Sequence, residues 1–195
     1  MIRSLCVALS CSLVWFALVA GDGAPETRWW KGNTHTHTLW SDGRAAPEWV
    51  SKVYVDGGYD FLVLSDHNTL QEGERWFPVS EDGSGRLSPK ELDGLIAAFG
   101  EEAVQLRTTE KGREMRLLTL PELRERFEVP GEFVFIQGEE VTSHFRSSGE
   151  EPVNYQVHIN AVNIDAYIAP RGGDSVGDLL NKSLEAILAQ GEKSG

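Results

Sequence analysis

One short apolar run constrains the fold of this 195-residue chain more than any other feature: residues 59–64, YDFLVL, end directly in the polar sequence SDHN. A nearly continuous apolar run of this length predicts a strand covered on both faces, as in a parallel sheet packed between helices. Similar runs alternate with helical patterns along the chain, which favours a series of β and α elements over a helical bundle or an all-β sandwich. The sequence therefore predicts an α/β domain.

The other apolar patterns predict the remaining elements. Strands are predicted over residues 29–38, 132–141 and 155–164, and a hairpin over 104–119 that turns at Lys111 and Gly112. Helices are predicted over 47–55, 88–99 and 175–189, and a short one from Pro121. The stretch 69–131 has too few apolar residues for a core of its own, so we interpret it as an inserted helix and hairpin region of the same domain.

The first residues differ from the rest of the chain. Arg3 is the only charge in the first twenty residues, and an apolar run leads to small residues at 19–21, which is typical of a cleaved secretory signal peptide. An uncleaved anchor is the alternative, although the run has about 16 residues against the roughly 20 that a membrane span needs. The predicted division is a signal peptide over 1–21 and one domain over 22–195. This predicts a secreted or periplasmic protein with no membrane attachment after cleavage.

Charge and cysteine content limit the partners and the metal ligands that the chain can have. The chain has 30 acidic and 18 basic residues and a net charge of −12, which argues against a stable nucleic-acid partner because the phosphate backbone would be repelled. The same acidity suits the binding of cations. The only cysteines, Cys6 and Cys11, lie in the predicted signal peptide. A mature chain without them has no disulfide and no thiolate ligand.

Histidines and carboxylates lie at the ends of the predicted strands. His35 and His37, at positions i and i+2 of a strand, point to the same face and can hold one ion together. Asp66 and His67 follow the apolar strand directly, and parallel-sheet enzymes assemble their sites at such strand ends. Asp42 follows the first motif in a Ser-Asp-Gly turn, where turn chemistry alone also accounts for an aspartate.

The two later strands carry similar groups. Glu139 and Glu140 follow the apolar residues 133–136, and His158 lies opposite the apolar face that Val157 and Ile159 form. Four of the five histidines therefore fall on or just after predicted strands. This clustering favours a metal site over scattered core histidines.

Four motifs in this order resemble those of the polymerase and histidinol phosphatase (PHP) domain family: residues 32–38 with 41–43, then 64–68, 138–142 and 158–160. They span about two thirds of the sequence, and their order is more specific than any one of them. The resemblance implies a distorted seven-stranded β/α barrel that binds two or three divalent ions at the carboxyl ends of its strands. It also implies a phosphoesterase that hydrolyses phosphate mono- or diesters with a metal-bridged hydroxide.

The resemblance also implies a role for individual residues. His35 and His37 would bind one ion, Glu140 would bridge it to a second ion that His158 also binds, and Asp42 and His67 would serve a third. Glu140 and His158 are the implied catalytic residues. The family pattern selects Glu140, but a one-residue slip in register would bring Glu139 to the site instead. Asp66 is expected to orient a neighbour rather than bind metal.

The expected substrate is a small phosphorylated molecule. His144 and Arg146, predicted in the loop after the Glu140 strand, are candidate phosphate contacts, since arginine offers a bidentate fork. A solvated loop is the other interpretation. The metal is zinc, manganese or iron, because mixed histidine and carboxylate sites accept all three.

The resemblance implies further ligands downstream, yet no histidine follows His158. We therefore interpret the chain as the N-terminal portion of such a barrel, with activity expected of the parent protein and doubtful for these residues alone. A genuine short form is the alternative. Two other functions stay open: a metal-dependent amidohydrolase-like enzyme acting on a non-phosphate substrate, and a non-catalytic secreted metal-binding module.

Overall fold

The computed structural model describes residues 27–148 and 150–191, so the predicted signal peptide lies outside the described residues. Over this part of the chain the fold is mixed α/β, with four α-helices and seven strands in two sheets. The predicted α/β class is confirmed. None of the described helices has the length and apolar character to cross a membrane.

The main sheet has four strands in the order β1-β2-β6-β7. Its strands are β1 (Gly32–Asn33), β2 (Phe61–Leu64), β6 (Val134–Arg146) and β7 (Asn154–Val162). The first three are parallel, as expected, and Phe61 lies opposite both Gly32 and Val134. The parallel register brings the carboxyl ends of β1 and β2 to the same edge of the sheet, beside the middle of β6.

The fourth strand departs from the predicted series, because β7 runs antiparallel to β6. The connection over residues 147–153 explains the reversal, since a parallel strand needs a crossover of about a dozen residues or more. This antiparallel pairing also extends β6 to Arg146, beyond the predicted end at residue 141. The first strand is shorter than predicted, with only two residues in the sheet.

The four helices lie close to their predicted positions: α1 (Pro47–Asp56), α2 (Pro89–Phe99), α3 (Leu120–Phe127) and α4 (Val176–Gly191). Capping boxes fix two of their starts, Ser88 with Glu91 at α2 and Thr119 with Glu122 at α3. In each box the glutamate side chain accepts a hydrogen bond from the backbone N–H of the capping residue. This N–H has no partner within the helix, so the glutamate satisfies it.

The inserted region forms a second, three-stranded antiparallel sheet, in the order β3 (Trp76–Pro78), β5 (Gly112–Arg116) and β4 (Leu106–Thr109). The hairpin of β4 and β5 is the predicted one, with shorter strands, whereas β3 has no counterpart in the predicted elements. Its core continues into the rest of the domain, because Met115 and Leu117 pack with Leu92 of α2 and with Leu39 and Trp40.

The apolar strand β2 is buried as predicted. Leu62 and Leu64 pack against Leu120 and Leu123 of α3, and Leu62, Val63 and Leu64 are at most 1% exposed. In the neighbouring strand β6, a Cβ atom at Gly138 would come within 2.6 Å of both Val63 Cγ1 and the Ala161 carbonyl oxygen. A side chain at this position would push β6 away from its neighbours, so glycine lets the three strands stay together here.

Candidate metal centre

Six side chains from five segments converge where β1 and β2 end beside the middle of β6. They form three overlapping groups, and within each group the ligand atoms lie within 4.8 Å of one another. The groups are His35, His37 and Glu140; His37, Asp42 and His67; and His67, Glu140 and His158. These are the six metal ligands that the PHP resemblance implied.

The carboxylate of Glu140 lies at the centre of this cluster. Its Oε2 is 3.2 Å from His35 Nε2, 2.8 Å from His37 Nε2 and 3.2 Å from His67 Nδ1. Its Oε1 is 2.9 Å from His158 Nδ1. The Glu140 side chain is only 4% exposed, so nearly all of its polar contacts are with imidazoles.

The donor spacing is suitable for small divalent cations. His35 Nε2 and His37 Nε2 are 2.9 Å apart, and each lies within 3.2 Å of Glu140 Oε2. Ligand atoms about 2.1 Å from a zinc-like ion are about 3.0 to 3.4 Å from one another in octahedral or tetrahedral geometry. Neutral imidazole and ionised carboxylate are ligands that such ions accept. The residues present therefore fit a metal centre.

Asp42 links two of the histidines. His37 Nδ1 donates to Asp42 Oδ1 at 2.7 Å, and Asp42 Oδ2 is 3.4 Å from His67 Nε2. The hydrogen bond from His37 lowers the pKa of Asp42 against the opposing effect of partial burial. Asp42 thus stays ionised, and its hold on Nδ1 leaves Nε2 of His37 directed at Glu140.

Sequence reasoning gave no role to Thr142, which the structure places between two of the histidines. Thr142 Oγ1 is 2.6 Å from His67 Nδ1 and 3.1 Å from His158 Nδ1. Thr142 is two residues after Glu140 and directly opposite His158 in the β6–β7 ladder. The alternation of a strand, counted on from Glu140, is the signal that could have identified it.

Asp66 organises the loop that carries two of the ligands. Its buried carboxylate accepts hydrogen bonds from Thr38 N at 2.7 Å, Thr38 Oγ1 at 2.9 Å, Ser41 Oγ at 2.6 Å and Gln71 Nε2 at 2.7 Å. Thr38 and Ser41 lie between His37 and Asp42 in the chain. Asp66 belongs to none of the three ligand groups and fixes the ligand-bearing loop instead.

Asn68 joins the end of β2 to β6. Its φ of 47° lies in the left-handed region, which asparagine adopts more readily than most residues. Its side-chain Oδ1 accepts from Thr142 N at 2.8 Å, and its Nδ2 donates to the Thr142 carbonyl at 2.9 Å. This two-point contact holds His67, one residue before Asn68, beside the Glu140 segment.

Glu139 lies on the opposite face of β6 from the cluster. It is fully buried, and its Oε1 accepts a hydrogen bond from Ile168 N at 2.7 Å. Burial raises its pKa to about 7, against the lowering effect of that hydrogen bond. The register therefore presents Glu140 to the histidines and Glu139 to the loop after β7.

His144 and Arg146 lie on β6 itself, where the sequence predicted a loop. The antiparallel partner strand explains the difference, since it pairs these residues with Gln156 and Asn154. Both share the face of Glu140, but at about 3.3 Å per residue they lie about 13 Å and 20 Å along the strand from it. The structure does not bring them into the cluster.

No family model and no curated protein matches this chain. Its function must therefore be argued from the site.

Proposed function

We propose that this protein is a metal-dependent phosphoesterase of the PHP domain family, in which the four-stranded sheet forms part of a distorted seven-stranded β/α barrel. The Glu140 carboxylate carries the proposal. It is 4% exposed and lies within 3.2 Å of nitrogens from four histidines. An ionised carboxylate taken out of water needs compensating positive charge, and divalent ions shared with the imidazoles would provide it.

The donor groups suggest how the ions would be shared. His35, His37 and Glu140 would hold one ion, Glu140 and His158 a second, and Asp42 and His67 a third, with zinc, manganese and iron all compatible. When bound, such ions neutralise charge that develops on phosphoryl oxygens and lower the pKa of coordinated water.

The protein's own side chains would bind the ions and orient the histidine rings toward them. Asp42 holds the ring of His37 through a hydrogen bond of 2.7 Å at Nδ1, and Thr142 holds that of His67 through one of 2.6 Å at Nδ1. Fixed rings keep their lone pairs directed at the ions, which raises affinity without further reorganisation.

Three members of the cluster are accessible to solvent, and Asp42, with a 68% exposed side chain, is the most exposed of them. The side chains of His35 and His158 are 53% and 36% exposed, whereas Glu140 lies beneath them at 4%. A substrate phosphate would therefore approach over these two rings. Because the chain as a whole carries a net charge of −12, attraction of a small phosphorylated substrate has to come from the site itself, and a large polyanion would be repelled.

Metal binding and turnover are best tested together. The protein is stripped with a chelator, titrated with Zn²⁺ or Mn²⁺ by calorimetry, and assayed with bis-p-nitrophenyl phosphate, p-nitrophenyl phosphate and a p-nitroanilide amide. We expect the parent protein, with its complete barrel, to release nitrophenol from at least one phosphate ester in a metal-dependent reaction, and to lose this activity in Glu140→Gln. Glu139→Gln is the matched control and should retain turnover.

The other outcomes separate the rival functions. Turnover of the amide without either phosphate ester would favour an amidohydrolase-like enzyme. Tight metal binding by the folded chain with no turnover of any substrate would favour a structural metal site. Absence of metal binding would overturn the proposal altogether.

A further inference from the structure

A cavity of about 300 Å³ lies beside α2 and borders the same loop that carries Asp42. Its walls come from Leu39 and residues 44–46, from Trp49 of α1 and from α2 with the residues just before it. None of the six cluster residues lines it. Its volume is at the lower end of the range for small-molecule sites.

The floor of this cavity is apolar. Leu39, Leu87 and Leu95, which are 0%, 1% and 3% exposed, contribute to it, and the ring of Trp49, which is 39% exposed, stands at its side. An aliphatic or aromatic body would lose contact with water on entering.

The cavity is lined by several positively charged side chains, although the protein as a whole is acidic. Arg44, Arg86 and Lys90 line it, and no carboxylate of the described residues forms an ion pair with any of them. The one acid in the lining, Glu91, is engaged by Ser88 in the helix cap. Three cations without an ion-pair partner among the described residues, around an apolar floor, favour an anionic ligand.

Arg86 is already held in place. Its Nη1 donates to the carbonyl oxygens of Ser41 at 2.6 Å and Gly43 at 2.8 Å. Carbonyl contacts orient the guanidinium without neutralising it, so its remaining donors are available to an anion.

Gly94 keeps the cavity open from the helix side. It lies inside α2, where glycine costs about 1 kcal/mol relative to alanine. It lines the cavity, and a Cβ atom at this position would meet no atom within 4 Å. No steric constraint requires glycine here, so a larger residue could fill the space without disturbing the fold.

From the apolar floor, the three cations and the open position at Gly94, we infer that this cavity binds a small amphipathic anion, a carboxylate on a short apolar body. The ligand would place its body over Leu39 and Leu95 and its charged head among Arg44, Arg86 and Lys90. This site is separate from the metal centre and does not depend on the proposed phosphoesterase activity.

Octanoate is the probe, titrated by calorimetry into the metal-free chain, with octan-1-ol and octylammonium as neutral and cationic analogues. We expect saturable 1:1 binding of octanoate, at least tenfold tighter than that of either analogue. Gly94→Leu should weaken it more than tenfold by filling the cavity, and the double variant Arg44→Gln, Lys90→Gln should weaken it about tenfold. Lys111→Gln, which removes one positive charge from the hairpin, is the matched control and should bind like the parent.

Two results would overturn the inference. Equal affinity for octanoate and octan-1-ol would show an apolar crevice with no anion site. Unchanged octanoate binding in a folded Gly94→Leu variant, verified by circular dichroism, would place the probe elsewhere. The surface double variant keeps the test decisive if Gly94→Leu does not fold, because undiminished binding in that variant also contradicts the role of the cations.

Discussion

Glu139 and Glu140 are consecutive residues of β6, yet their carboxylates lie on opposite faces of the sheet in unlike surroundings. Glu140 contacts four histidines, whereas Glu139 accepts one hydrogen bond from the Ile168 N–H. Glu139 Oε2 has no hydrogen-bond partner among the described residues. Two residues of identical chemistry thus form a natural matched pair, separated only by the period of the strand.

The first prediction uses this pair. Glu140→Gln removes the carboxylate that the histidines share, and we expect the affinity for Zn²⁺ or Mn²⁺ to fall by about 100-fold or more, since loss of an outer-shell partner alone costs about 10- to 100-fold. Glu139→Gln makes the same change on the other face and should alter metal affinity less than about threefold. Calorimetric titration of the two variants measures the difference. Equal losses of metal affinity in the two variants would show that metal binding does not depend on the face of β6 that carries Glu140.

The sequence predicted six of the seven described strands and most of the residues that meet in this cluster, because the signals for them are local. An apolar run followed at once by Asp66 and His67, and two histidines at i and i+2, depend only on strand geometry. The choice between Glu139 and Glu140 depends on how β6 is registered against β2 and β7, which no local pattern contains. The resemblance to the PHP family, rather than periodicity, selected Glu140.

A second prediction concerns Asp66, whose buried carboxylate accepts four hydrogen bonds from Thr38, Ser41 and Gln71. Asp66→Asn turns one acceptor oxygen into a donor facing other donors. We expect a loss of about 2 to 4 kcal/mol in the free energy of unfolding and a decrease of about tenfold or more in metal affinity, because the loop bearing His37 and Asp42 loosens. Urea denaturation and calorimetry measure the two effects.

Asp82→Asn is the control for Asp66→Asn. Asp82 also accepts hydrogen bonds from serine hydroxyls and a backbone N–H, those of Ser80 and Ser84, but in an exposed turn of the inserted region. Its replacement should leave metal affinity unchanged. A similar loss of affinity in both variants would mean that the effect comes from general destabilisation and not from the loop that Asp66 fixes.

The third prediction tests Thr142, the contact that sequence reasoning missed. Thr142→Val removes the hydroxyl that lies 2.6 Å from His67 Nδ1 and 3.1 Å from His158 Nδ1, while the β-branched shape that suits a strand is kept. We expect metal affinity to fall about tenfold, as for other outer-shell partners. Thr108→Val on β4 is the control and should bind metal normally. Unchanged affinity in Thr142→Val would show that the two rings need no such support.

The features of the fold and of the site that could not be predicted from the sequence depend on how distant segments of the chain pair. The reversal of β7 extends β6 and carries His144 and Arg146 onto a strand, away from the cluster. Their predicted place in a loop after Glu140 assumed that β6 ended at residue 141. The Thr142 contact and the Asn68 bridge also require segments about 75 residues apart in the chain to meet, as the two-point contact of Asn68 shows.

A buried acid outside the histidine cluster, Glu48 of α1, gives the stability of the fold a pH dependence. Glu48 is 2% exposed, and its Oε2 has no hydrogen-bond partner among the described residues. Burial raises its pKa from 4.5 to about 7, against smaller lowering effects from its own backbone N–H and from Arg126. The folded state therefore favours the protonated acid, whereas the unfolded chain ionises it at ordinary pH.

The sign of this effect gives the last prediction. Between pH 4.5 and about 7 the folded state holds a proton on Glu48 that the unfolded state has released, so the free energy of unfolding decreases as pH rises through this window and levels off above it. Glu48→Gln removes the titration and should raise stability by about 3 kcal/mol at pH 8, with little change near pH 4. Urea denaturation of the parent and the variant across this range measures the difference. A variant whose advantage did not grow between pH 4.5 and 8 would show that Glu48 keeps an ordinary pKa in the folded protein.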